Sequence, residues 1–325
     1  MTADSPILAE VIRSGFAESF HRGAIAGLGA DGQPVLQAGP VHEPMFPRSS
    51  NKPLQAAAMV RCGLGLDGKL LALAAASHSG EDYHVAGARE ILAGAGLTED
   101  DLQCPPSMPI DEESMRAMVR RGAGPDRVHM NCSGKHAAML ATCVAAGWPT
   151  GSYRDPEHPL QREIRRTIEE LAGEPVAAIG VDGCGAPIFA LTVTGLATAF
   201  RAVVLASPGS PERTVADAMR AYPDWTSGSK RPERALMEAV PGLLLKSGAE
   251  GVEAFALADG RAGAFKIEDG TARARPPVTV ALLRALGAAG ELGVDQAALE
   301  RIGHVEIRGG GQPVGEVRPV LDQLS

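Results

Sequence analysis

The stretch FPRSSNKPLQ, residues 46–55, decides how this chain is to be read. Residues on its N-terminal side have strand character, and those after Pro47 have helical composition. Proline is tolerated in a helix only within the first turn, where its missing N–H has no partner to lose. Pro53 therefore makes a helix begin near Ser49 or Ser50. A serine at that place can cap the helix with its hydroxyl, or it can be a nucleophile. Ser49 and Lys52 are three apart and share a helix face, whereas Ser50 and Lys52 diverge. A lysine amine deprotonates a serine only if burial or nearby cations lower its pKa. Phe46, Pro47, Pro53 and Leu54 can supply burial, and Arg48 and the helix N-terminus can supply positive charge.

Working outward, residues 8–40 read as strand, with a hairpin turn at Ala30-Asp31-Gly32-Gln33. Helices follow in KPLQAAAMVRCG, GKLLALAAAS, HVAGAREILAGAG, DEESMRAMVRRG, SGKHAAMLATCVAAG and HPLQREIRRTIEELAG, each with a stop at Gly or a polar turn. From Pro175 the β-branched runs PVAAIGVDG and PIFALTVTGLATAF read as strands. Two helices, a hairpin around Asp259-Gly260, the helix VTVALLRALGAAG and a final hairpin complete the chain. Strands at both ends and helices between predict an α+β protein. One antiparallel sheet is built from both termini and a helical lobe is inserted into it. This is a single catalytic domain, with one lobe at about residues 1–48 and 175–325 and a mostly helical lobe at about 49–174. A cleft between lobes is a favoured place for a ligand.

The chain has 325 residues, 45% hydrophobic and 22% charged, which suffices for a sizeable core. The formal net charge of −8 argues against nucleic acid or an anionic membrane as partner. No apolar run reaches spanning length, and the first residues lack a signal-peptide pattern, so the cytoplasm is the expected compartment. The five cysteines are an odd count that does not suggest a disulfide framework. Scarce aromatics and abundant Ala and Gly predict close packing of small residues.

Ser-x-x-Lys by itself is a weak signal, and a second copy occurs at Ser227 and Lys230. Its setting strengthens it. Serine–lysine acyl-transfer enzymes of the β-lactamase and penicillin-binding class place this motif at a helix start after N-terminal strands, with a further lysine on a late strand. Lys266, in GAFKIEDG, occupies that later place, although neither Ser-Asp-Asn nor Lys-Thr-Gly is found. The other dense stretches are HMNCSGKHAAML and VDGCGAP. Cys132 and Cys184 with His136 would make a routine zinc set, whereas Lys135 would have to lose a proton to ligate. Separately buried thiols account for the same cysteines.

FPRSSNKPLQ, ASHSGE, NCSGKHAAML, VDGCGAP and KIEDG, in this order, resemble the L-asparaginases of the Rhizobium etli thermolabile type, the class 3 asparaginases. The resemblance covers nearly the whole chain. It implies a serine-β-lactamase-like fold, L-asparagine as substrate and a homodimer. It implies a first serine–lysine tandem at Ser49 and Lys52 and a second at Ser79, preferred to Ser77, and Lys266. It also implies one zinc held by Cys132, Lys135 and Cys184, with Arg48, Asp182 and His136 near the substrate. Arg48 suits the substrate's carboxylate and Asp182 its ammonium. A glutaminase or β-lactamase-like serine amidase is one alternative. A non-catalytic amino-acid-binding protein is another.

Overall fold

In the computed structural model, which describes residues 5–291 and 293–321, the chain opens with β1 (Ile7–Arg13), β2 (Phe16–Leu28) and β3 (Pro34–Ala38). The first stretch read as strand is thus a hairpin. Ser14 and Gly15 both take positive φ, 50° and 80°, the two-residue turn whose twist matches the strands it joins. The turn at residues 30–33 joins β2 to β3, with Gly32 at φ 81°. A 3-10 turn, Arg48–Asn51, leads into α1 (Lys52–Arg61), and α2 (Gly68–Ala74), α3 (Asp82–Gly94), α4 (Glu112–Arg120), α5 (Ser133–Ala145) and α6 (Pro159–Ala172) follow.

Residues 187–200 depart from the strand reading. Only Pro187–Phe189 is strand, β5, paired with β4 (Ile179–Val181); the rest enters α7 (Val193–Leu205). A continuous apolar run suits a buried helix as well as a buried strand. Here Thr192 decides, because its hydroxyl accepts the Gly195 N–H at 2.8 Å as an N-cap. The chain continues through α8 (Pro211–Ala221), α9 (Pro223–Thr226), α10 (Pro232–Ala239), β6 (Leu244–Ser247), β7 (Val252–Ala256) and β8 (Ala262–Ile267). It ends with α11 (Arg275–Ala285), α12 (Gln296–Gly303), β9 (Val305–Gly309) and β10 (Gln312–Pro319).

Strands from the two ends of the chain share one antiparallel sheet in the order β6-β7-β8-β2-β1-β10-β9, with β3 beside β2. Period-two alternation gives its central strands two unlike faces. Ala24, Ala26, Ala254, Ala256, Ala262 and Ala264 form a smooth face that belongs to the core shared with the helical layer. Ile25, Leu245, Phe255, Phe265 and Ile267 form the other, in the core shared with α10, α11 and α12. The small residues let α7 lie directly on β2, β7 and β8. The helical layer is not confined to residues 49–174, since α7 packs on α6 and α8 packs on α1 and α2. Among the described residues no helix is long and apolar enough to cross a membrane.

Candidate active site

The 3-10 turn places Pro53 at the second residue of α1, within the turn that tolerates it. The buried Ser50 hydroxyl donates to Pro47 O at 2.6 Å and so fastens the turn. Arg48 adopts φ 52°, a left-handed conformation that is costly for a side chain of this size. Ser49 lies half-buried between them. Among the described residues no side-chain hydrogen bond joins Ser49 to Lys52; the only bond between them runs from the Lys52 backbone N–H to Ser49 O. The Lys52 amine instead donates to Ala76 O at 2.5 Å, to Ser77 Oγ at 2.9 Å and to Cys132 Sγ at 3.1 Å. Three donated bonds use all three N–H groups of an ammonium.

The loop carrying Ser77, His78 and Ser79 sends its two serines to different places. Ser77 meets Lys52, whereas Ser79 donates to Ser227 O at 2.9 Å and touches no lysine among its hydrogen-bond partners. His78 pins the loop. Gly80 N donates to its Nδ1, so its Nε2 carries the proton and donates to Ser133 Oγ at 2.9 Å. Burial holds His78 well below the ordinary imidazole pKa, in keeping with a neutral ring. In the second Ser-x-x-Lys motif Ser227 is buried, but Lys230 lies at the surface and pairs with Asp111 and Glu113, each at 3.1 Å.

Lys266, on β8, donates to the carbonyls of Glu250 and Ile267 at 2.5 Å each and is brought to neither Ser77 nor Ser79. A different lysine faces Lys52. Lys246 lies on β6, the edge strand of the sheet, which packs against the 3-10 turn. It is 2% exposed, and its amine donates to Ser247 O at 2.8 Å. Burial, and then the charge of Lys52, push its pKa down to about 7. Gly248 follows, and a Cβ there would stand 2.6 Å from Pro47 O. Only glycine lets β6 approach the turn so closely. The composition of Lys246-Ser247-Gly248 was legible as a hydroxyl-for-hydroxyl variant of the Lys-Thr-Gly that was sought, but a search for Thr passes over it.

Cys132 precedes α5, and Lys135 and His136 stand on its first turns. Cys184 lies in the tight turn between β4 and β5, closed by Asp182 N donating to Ala186 O. Lys135 Nζ donates to Cys184 Sγ at 3.1 Å. The Cys132 thiol donates to Asn131 Oδ1 at 3.3 Å; its neighbour Cys184 and burial raise its pKa, while Cys132 and Lys135 favour the Cys184 thiolate. Burial disfavours charge on Lys135, yet the sulfurs beside it outweigh that and raise its pKa. His136 Nδ1 bonds Tyr153 OH at 2.6 Å, and its buried Nε2 has no hydrogen-bond partner. Burial lowers its pKa to about 4. Among the described residues no three His, Cys, Asp or Glu side chains are gathered as a metal cage, so a metal at these sulfurs needs the Lys135 amine. Two soft sulfurs, an amine and an orphaned imidazole nitrogen nearby suit zinc. Asp182 is engaged from the other side, accepting Arg48 Nε at 2.8 Å.

The sequence pattern of a family described as L-asparaginase II matches residues 9–319. The chain belongs to that family. Membership supports an amidohydrolase activity of asparaginase type. No curated protein sequence matches the chain significantly. Among solved structures, native Mglu is 16% identical over 77% of this chain, with a TM-score of 0.41, and the chain spans 56% of its length. A proposed β-lactamase from Bacteroides dorei is 14% identical over 76% of this chain and 84% of its own, with a TM-score of 0.42. The simvastatin synthase LovD from Aspergillus terreus is 11% identical over 86% and 93%, with a TM-score of 0.44. In this L-asparaginase II family member, Lys52 at the start of α1 meets Ser77, Ser49 stands in the turn just before it, and β6 with Lys246 packs against that turn. The cysteine–lysine cluster adjoins them through the Lys52–Cys132 contact.

Proposed function

We propose that this chain hydrolyses the side-chain amide of L-asparagine to L-aspartate and ammonia by serine acyl transfer. The observation that carries the proposal is a buried lysine, Lys246, on the edge strand that packs against the 3-10 turn carrying Ser49. Lys52 is tethered by three donated hydrogen bonds, whereas Lys246, with a pKa of about 7, has a lone pair available at neutral pH. Ser49 Oγ attacks the amide carbon and its proton passes to the Lys246 amine. The same proton then goes to the leaving nitrogen, which departs as ammonia. Water hydrolyses the resulting ester, with Lys246 again as base, and frees aspartate and Ser49. Ser77, bonded to Lys52, orients its amine. The N-terminus of α1 adds a positive field where the oxyanion develops.

The fold belonging to this reading is serine-β-lactamase-like. Ser-x-x-Lys at a helix start and Lys-Ser-Gly on the facing edge strand support it. Cys132, Lys135 and Cys184 would hold one zinc, which when bound would supply positive charge beside the substrate. Arg48 and Asp182 stand near enough to that cluster to meet the polar end of an amino acid.

The test is ammonia release from asparagine, glutamine and a chromogenic β-lactam, each with and without chelator. Hydrolysis of asparagine above the other two is expected. Preference for glutamine or the β-lactam moves the chain to another amidase specificity. Asparagine binding without turnover makes it a binding protein. One methylene separates asparagine from glutamine, a difference worth only about 1–3 kcal/mol.

A further inference from the structure

Three non-glycine residues take positive φ among the described residues: Ser14, Arg48 and Glu250. Ser14 belongs to a hairpin turn that asks for it. The other two face each other across the site, with Arg48 Nη1 3.7 Å from Glu250 Oε1. Strain of this kind persists only where the surroundings over-determine it, and for Glu250 they do. Glu250 lies in the turn between β6 and β7, at φ 59°, and Lys266 donates to its carbonyl. Gly251, at φ 68°, carries the chain out of the turn, and its carbonyl accepts the Ile267 N–H at 2.9 Å. Gly270 makes room for the carboxylate, since a Cβ there would stand 2.6 Å from Glu250 Oε2.

The Arg48 guanidinium therefore has a carboxylate on each side, and the two are unlike. Asp182 is 11% exposed and accepts a 2.8 Å hydrogen bond, so its charge is matched. Glu250 is 62% exposed and too far away for a direct hydrogen bond. Asp182 takes the direct hydrogen bond from Arg48, so the Glu250 carboxylate is left exposed beside the guanidinium without one. A cation arriving next to Arg48 meets Glu250 first.

We infer that Glu250 is a specificity-determining residue that receives the α-ammonium of an amino-acid substrate, and that Lys266 is the positioning residue that holds it there. The inference rests on the functional reading above and adds to it the group that distinguishes an α-amino acid from a plain amide. It also gives Lys266 a purpose without bringing it to a serine.

The test compares kcat/KM for L-asparagine with that for succinamic acid, which is asparagine without its α-amino group. A partly exposed charge pair is worth up to about 1 kcal/mol. Glu250→Gln is accordingly expected to lower the asparagine-to-succinamate ratio by about 3–5-fold, through KM rather than kcat, and less at high salt. Lys266→Met should lower the same ratio by about 2–5-fold in a protein that still folds. Lys266→Arg, which can still donate to the two carbonyls, should restore most of it. If both substrates fall together in Glu250→Gln, or the ratio stays at the wild-type value, the inference is overturned. A wild-type protein that releases ammonia from neither amide overturns the functional reading as well. The two failures are distinct, because one is seen in the wild type and the other only in the variants.

Discussion

Lys246 and Lys266 stand on one face of the same sheet, two strands apart, and their surroundings give them different chemistry. Lys246 pairs across to Ala254, and Lys266 to Val252, so register places both amines toward the helical layer. At β6 that layer presents the start of α1 and the charge of Lys52, and the amine is driven toward neutrality at pH 7. At the end of β8 the amine lowers its pKa mainly through burial, while Glu250, Asp269 and Glu268 favour its charge. It spends its protons on two backbone carbonyls. The lesson is that a lysine in an apolar strand is driven toward neutrality or tied down as a strut according to what the neighbouring layer offers its amine.

The largest expected effect removes the group that Lys246 would serve. Ser49→Ala should reduce asparagine turnover to background, while Ser50→Ala, which removes only the hydroxyl bonded to Pro47 O, should keep most of it and lose about 1 kcal/mol of stability. Steady-state ammonia assays and thermal melts measure both, and the opposite order of activity loss would identify Ser50 as the nucleophile.

Next in size, Lys246→Met should lower kcat by roughly 10²–10⁴-fold, the range for loss of a general base. Its effect on stability has a definite sign. The folded pKa of about 7 lies below the ordinary 10.5, so below pH 7 the wild type carries the whole cost of a buried charge. Between about pH 7 and 10.5 the unfolded chain binds more protons, and wild-type stability rises with pH. The melting-temperature gain of Lys246→Met should therefore be greatest below pH 7 and shrink as the pH approaches 10. A variant that keeps wild-type kcat would make the two lysines alike after all.

A smaller effect is expected at the sulfurs. Cys132→Ser and Cys184→Ser should each lose zinc by elemental analysis and raise KM about tenfold, with less change in kcat. Cys132 is held as a thiol and must release its proton to ligate, so zinc affinity should fall as the pH drops. Full activity in chelator, with no zinc in the purified protein, would return both cysteines to the role of buried thiols. The smallest effect is the few-fold change in substrate preference at Lys266, already set against Glu250.

Much of the molecule was legible along the chain. Pro53 announced the helix start, Asp31-Gly32 and Asp259-Gly260 the hairpins, and Gly173 the end of α6, because each acts through its own backbone. Arg48, Ser49, Lys52, Cys132, Lys135 and Cys184 stood out because motif spacing survives in sequence. Residues 193–200 were misread as strand because a run apolar on all sides has no period to read, and its burial between α6 and the sheet is set by distant elements.

What the sequence determined by itself was local: where turns fall, where helices may begin, and which residue types are at hand for serine and thiol chemistry. Which serine meets Lys52, and which lysine stands on the strand packed against the start of α1, was decided by tertiary structure alone. Ser77 and Ser79 are two residues apart in a loop whose direction depends on His78 reaching Ser133 of α5. Lys246 and Lys266 are alike as letters, each a lone lysine in an apolar strand. Sheet register and the approach of Gly248 to Pro47 O bring one of them, and not the other, to the start of α1. The reason is physical. A hydrogen bond or a depressed pKa is a property of what surrounds a group, and those surroundings are assembled from segments some 200 residues apart that only the folded sheet brings together.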